Sequence, residues 1–238
     1  TLSTAGASTT MTIAAGTACD STNVAMMEVP TLNKTTAAWV VGNAQGGLDT
    51  GAIANSTWYH FYAIRRADTA TVDVTFSTNA TTPTLPANYT QYRRIGSGLT
   101  NGSGQWTSFV QYGDDFFWLT QVADITSVNP GTAAVTRTLT VPLGVSNYAI
   151  VQVRTQNSGA GGNVYAYFSD LATTDTAAAV TNSDLAITVA AAGGVSSAGA
   201  RMKVRTNTSS QIRSRISYSD ASVTLGINTL GWTDTRGK

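Results

Sequence analysis

Alternation of apolar and polar residues with a period of two recurs along most of this chain, and it constrains the fold more than any other feature. It appears in VDVTFS (72–77), WTSFVQ (106–111), AVTRTLTV (134–141), YAIVQVR (148–154), NVYAYF (163–168), RMKVRT (201–206) and QIRSRIS (211–217). Successive side chains of a strand point to opposite faces, so each segment predicts a strand with one face on a core. Clusters of Gly, Asn, Ser and Pro divide the segments, as turns require. Many short strands between such turns predict an all-β fold built from antiparallel β-sandwich or jelly-roll-like units. Glu28 is the lone glutamate among 13 acidic residues, which removes a common helix former. LATTDTAAAVT (171–181) is the stretch that best suits a short helix.

The chain of 238 residues is long enough for two such units in tandem. TSVNPGT (126–132) lacks a strand pattern and holds a Pro-Gly pair, so the expected division is 1–130 and 131–238. TWYHFYAI (57–64) is apolar on both faces and predicts a central strand covered on both sides.

Charge is sparse. Charged residues make up 11% of the chain and the net charge is +1, so no global field draws it to nucleic acid or an anionic membrane. No apolar run reaches the 18 or so residues of a membrane span. Cys19 stands alone, which excludes an internal disulfide and a cysteine-built zinc site. The opening TLSTAGASTTMTIAAG does not read as a signal peptide and looks like the continuation of a longer chain.

His60 is the single histidine and lies in the aromatic strand, so it reads as a packed or hydrogen-bonded side chain rather than a catalytic base. Asp114 and Asp115 are adjacent, hence aimed to opposite faces, and do not flank one glycosidic bond. No catalytic residue is expected. Loop aspartates such as Asp49, Asp68 and Asp170 have no D-x-D-x-D-G spacing, and neither a metal nor a cofactor is called for.

Two groups are candidates for binding. The first surrounds the glycine-rich GSGLTNGSG (96–104), which ends in no phosphate-loop motif and reads as a flexible connection able to carry recognition: Asn101, Trp106, Tyr112 and Trp118. The second is basic. Alternation puts Arg201, Lys203 and Arg205 on one face of a strand, and Arg213 and Arg215 on one face of the next. If TNTSSQ is a hairpin turn, Arg205 opposes Arg213 and Lys203 opposes Arg215, a repulsion that solvation, an aspartate from another strand or subunit, or an acidic ligand must offset. These bases lack the interleaved aromatics of a nucleic-acid site. In YTQYRRIGSG (89–98), Arg93 and Arg94 reach one ligand only if a bulge breaks the pleat; otherwise one points outward and one pairs with an aspartate, Asp114 or Asp115 being nearest.

Five blocks, in order along the chain, resemble tail-module proteins (tail fibre or receptor-binding) of tailed bacteriophages and prophages. They are TIAAGTACDSTN (12–23), AAWVVGNAQGGLDTGAIANSTWYHFYAI (37–64), FSTNATTPTLPANYTQYRRIGSGLTNGSGQW (76–106), VRTNTSSQIRSR (204–215) and GWTDTRGK (231–238). In the proteins it resembles, the module follows a virion-docking part and lies distally on the fibre. The chain departs from them at Thr235-Arg236-Gly237, where two arginines often precede the glycine.

The resemblance implies a virion protein that attaches to a bacterial surface glycan without catalysis, forms a homotrimer and meets other virion proteins. It supplies no catalytic residues. A purely structural role, as head fibre, capsid decoration or tail spacer, is the rival expectation, and a polysaccharide depolymerase is the third.

Overall fold

The computed structural model describes all residues except 160–161, 189–193 and 237–238. Gly237, part of the terminal motif, therefore lies outside the described residues. The described residues are all-β, without helix, and their strand pairing is mostly antiparallel. The chain divides into two compact units, Thr1–Leu119 with Asp234–Lys238, and Thr120–Thr233. The 126–132 segment lies inside the second unit, and its first residues still belong to a strand.

The first unit carries β1 (Leu2–Thr4), β2 (Thr10–Ile13), β3 (Gly16–Cys19), β4 (Met26–Val29), β5 (Leu32–Ala38), β6 (Gln45–Leu48), β7 (Trp58–Arg66), β8 (Val72–Ser77), β9 (Tyr89–Leu99), β10 (Phe109–Tyr112) and the start of β11 (Asp115–Val128). Its main sheet runs β10-β1-β2-β5-β6-β8-β7-β9, with β3 and β4 as a separate hairpin. β6 pairs in parallel with both β5 and β8, a departure from the antiparallel pattern. β7 is buried from Trp58 to Ile64, pairs with β8 and β9 in the sheet, and has side chains packed on both of its faces. On one side Tyr59 and Phe61 pack against Phe76 and Trp106. On the other, Tyr62 and Ile64 join Tyr89, Trp39, Leu85 and Tyr92. His60 is buried, with its Nδ1 2.9 Å from the Ser97 hydroxyl.

A buried ion pair fixes the β5–β6 corner. Lys34 Nζ lies 2.8 Å from Asp73 and also donates to the carbonyls of Val40 (2.9 Å) and Gly42 (3.0 Å). The Trp39 ring centroid is 5.5 Å from the ammonium. Asp73 in turn accepts from the N–H groups of Gly42 and Val74. Burial pushes the Lys34 pKa down, against the hydrogen bond and charge of Asp73.

The β3–β4 turn is held by one carboxylate. Asp20 accepts from the N–H groups of Thr22, Val24 and Ala25 and from the Thr22 hydroxyl. The Ala25 N–H and then the Thr22 hydroxyl lower its pKa from 3.8 to about 2, outweighing burial. A carboxyl whose folded pKa is depressed adds stability above its unfolded pKa, and that stability is lost as pH falls through the folded value. The first unit should therefore lose stability between pH 3.8 and about 2, and Asp20→Asn should flatten that part of an acid titration followed by denaturant unfolding. An unchanged acid limb in the variant would show that the turn carboxylate is not responsible.

The second unit holds the rest of β11, then β12 (Val135–Thr138), β13 (Tyr148–Asn157), β14 (Val164–Ser169), β15 (Leu185–Ile187), β16 (Ser196–Arg205), β17 (Gln211–Ile216) and β18 (Val223–Thr233). One sheet runs β16-β13-β18 with β11 beyond, the other β12-β17-β14-β15. β14 and β15 lie against β13 and β16, so the two sheets form a sandwich. Between them are Val151, Val153, Val164, Ala166, Ile212, Ile216, Leu225 and Ile227, all buried and all on alternate positions of their strands.

The helix expected over 171–181 is absent. Asp170 accepts from the Ala172 N–H and, through its carbonyl, from Thr173, while Asn182 bonds to Ala177 and Ala179. Such local side-chain bonds to backbone compete with a helical ladder.

Candidate functional site

The glycine-rich stretch is largely strand. Gly96 and Gly98 belong to β9 and face the core of the first unit, where a Cβ on Gly96 would lie 2.6 Å from Leu2 Cδ1 and one on Gly98 3.2 Å from Met11 Cε. These glycines make room for large neighbours, including Phe116 beside Gly96 and Trp106 beside Gly98. Only the short turn after Thr100 is a loop. Asn101 closes it, its side-chain oxygen accepting from Ser103 N–H (2.8 Å) and Gln105 N–H (3.1 Å).

The aromatic candidates are corrected accordingly. Trp106 has 0% exposure and bridges Ser8 and Thr100, with Phe61 and Phe76 rings each 5.2 Å away. Trp118 is also buried, against Trp58 and Phe109. Neither ring offers a face to a sugar: Trp106 lies in the core beside Gly98, and Trp118 is covered by Trp58 and Phe109. Tyr112, 71% exposed beside the Gly113 turn, is the member of the set that reaches solvent.

The basic candidates separate. Arg201, Lys203 and Arg205 lie on β16 and Arg213 and Arg215 on β17, in opposite sheets of the sandwich, so the expected hairpin pairing of like charges does not form. The physical reason is that both strands have an apolar face, Met202 and Val204 on one and Ile212 and Ile216 on the other, and a sandwich buries both faces. Thr206 and Ser210, each 1% exposed, anchor the connection between the sheets through Asn147 and the Val141 carbonyl.

Aspartates from the 170–175 loop meet three of these bases. Asp170 pairs with Arg205, while Asp175 lies 3.7 Å from Arg213 and 3.2 Å from Arg215. Burial pushes the Asp170 carboxyl up, but the Ala172 N–H and Arg205 together leave it below its ordinary value. Neither pairing was legible in the sequence, where Asp170 read as a loop aspartate without a partner assigned and Asp175 lay in the stretch that looked helical.

β13 and β16 together present a cationic outer face. β13 pairs Tyr148 with Arg205, Ile150 with Lys203, Gln152 with Arg201 and Arg154 with Gly199. The alternate residues of both strands point into the core, so Tyr148, Gln152, Arg154, Arg201, Lys203 and Arg205 share the outer, exposed face. β18 extends it with Asn228 opposite Gln152 and Thr224 opposite Gln156. None of β13, β16 or β18 supplies an acidic residue, and Asp170, from the loop after β14, pairs with Arg205. Side chains two apart on a strand repeat at roughly 7 Å, so the three β16 bases form a linear array.

Arg94, one of the adjacent β9 arginines, and Arg236 near the end of the chain are also paired. Arg94 makes a two-pronged ion pair with Asp234 at 2.5 and 2.7 Å, and Arg236 pairs with Asp114. Of the two β9 arginines, Arg94 thus pairs with an aspartate, and that aspartate is at the far end of the chain. Among the described residues no group of three or more His, Cys, Asp or Glu is placed to hold a metal ion. Asp68 is engaged by Arg66, and Asp49 accepts from Thr50 and Thr84. No family model matches this chain, and no curated protein sequence matches it.

Proposed function

We propose that this chain is a non-catalytic recognition module of a tailed-phage virion, attaching to an acidic polymer of the bacterial surface through the outer β13–β16 face. The observation that carries the reading is that face: four bases on two paired strands, with Gln152 among them, Asn228 beyond it on β18, and Asp170 paired with Arg205 at the edge. Guanidinium groups bind carboxylate and phosphate in two-pronged fashion, and amide side chains meet sugar hydroxyls. Tyr148 is the single aromatic among the outward β13 and β16 residues, which disfavours a base-stacking platform and favours a charged glycan or polyol phosphate over single-stranded nucleic acid.

Immobilised polygalacturonate and polyglycerolphosphate should bind the wild-type protein, and dextran should not. Arg201→Glu with Lys203→Glu should weaken that binding at least tenfold with the thermal midpoint nearly unchanged, since both positions are exposed. Binding should also fall as salt rises through 0.15 M, where the screening length is about 8 Å. Equal binding by the double variant would remove this face from the function.

A purely structural role is favoured by one observation, the burial of Trp106 and Trp118, which leaves the first unit without the aromatic platform expected of a sugar site. Labelled antibody on intact particles distinguishes the two readings: a distal tail location supports attachment, and a head or shaft location supports a structural part.

A further inference from the structure

The first unit contains a cavity of about 400 Å³ whose wall includes Arg93, Arg94 and Arg236, together with the apolar Leu2 and Ile13 and the thiol-bearing Cys19. Sequence alternation alone separates Arg93 from Arg94. Both nevertheless line the cavity, beside Ile95, where the β7–β9 register is interrupted: Phe61 pairs with Gly96 and Tyr62 with Arg94, so Ile95 is skipped and the strand is bulged there. No acidic residue is among those lining the cavity. Two of the cations are held by carboxylates that do not line it. Asp234, 3% exposed, pairs with Arg94 and accepts the Arg236 N–H at 2.8 Å, while Asp114 pairs with the Arg236 guanidinium. Arg236 also donates to the Gly113 carbonyl at 3.1 Å.

This arrangement has the parts of an oxyanion site: arginines oriented by buried or turn-held carboxylates, an apolar wall, and a volume in the range of small-ligand pockets. We propose that the cavity binds a sugar-sized ligand bearing a carboxylate or a phosphate, with Arg93, Arg94 and Arg236 facing the anionic group and Leu2 and Ile13 the apolar part. The site lies wholly in the first unit and does not depend on the β13–β16 face of the second.

Titration calorimetry with sodium glucuronate, inorganic phosphate and glucose tests the assignment. At least one of the anions should bind and glucose should not; glucuronate alone identifies a carboxylated sugar, phosphate alone a phosphorylated ligand, and both an oxyanion pocket. Arg93→Gln should weaken the binding at least tenfold, whereas Arg201→Glu with Lys203→Glu should leave it unchanged, which separates this cavity from the sheet face. Because Cys19 is a free thiol at the cavity wall and the chain's single cysteine, saturation with the binding anion should slow its alkylation by iodoacetamide at least threefold. The proposal is overturned by an absence of binding with both anions, by equal binding of glucose, by full affinity in Arg93→Gln, or by loss of binding in the sheet-face variant.

Discussion

Replacing Lys34 with methionine is expected to lower the stability of the first unit by about 3–5 kcal/mol, the cost of leaving a buried charge without its partner. Asp73 would keep only the N–H groups of Gly42 and Val74, and the Val40 and Gly42 carbonyls would lose their ammonium. Removing both charges, as Lys34→Met with Asp73→Leu, should cost less than the single lysine substitution, since no charge is then stranded. Tryptophan fluorescence is a suitable readout because Trp39, Trp58, Trp106 and Trp118 lie in the first unit and Trp232 in the second. The denaturant transition should be assigned to the first unit rather than to the whole chain, since two units need not unfold together. A single variant within about 1 kcal/mol of the wild type would mean that the pair is not the clamp of the β5–β6 corner.

Trp106→Ala should be of similar size, about 3–5 kcal/mol, through the cavity it leaves. Its ring touches Tyr59, Phe61 and Phe76, and its backbone ties Ser8 to Thr100, so the loss falls at the centre of the first unit. Such a variant would lose binding by the first unit through its fold rather than through a contact, and binding by the β13–β16 face of the second unit would not report on it. The exposed Tyr112→Ala, by contrast, should unfold within about 0.5 kcal/mol of the wild type. Comparing the two by thermal unfolding separates a core aromatic from a surface one; a stable, well-folded Trp106→Ala protein would contradict the packing described.

The strands of the second unit were legible because their alternation is strict: YAIVQVR and QIRSRI bury every second residue. β7 was legible for the opposite reason, its continuous apolar run reflecting neighbours on both faces. The candidate site was read less well. Gly96 and Gly98 look like loop residues in sequence, yet they lie in a strand because Met11, Phe116 and Trp106 occupy the space their missing side chains leave. The same misreading carried Trp106 to the surface. Arg94 and Asp234 are 140 positions apart, and no local pattern connects them. RMKVRT and QIRSRIS look like two arms of a hairpin, and only the need to bury both apolar faces places them in opposite sheets. The outward side of β16 was legible, because alternation alone sets Arg201, Lys203 and Arg205 together.

Hydrogen–deuterium exchange with and without polygalacturonate or polyglycerolphosphate tests the central claim most directly, since it locates the bound polymer without substitution. The recognition reading predicts slowed exchange in peptides covering 148–156 and 199–205, with the β12–β17 sheet unaffected. Protection confined to the β12–β17 sheet, or no protection at saturating polymer, would contradict it.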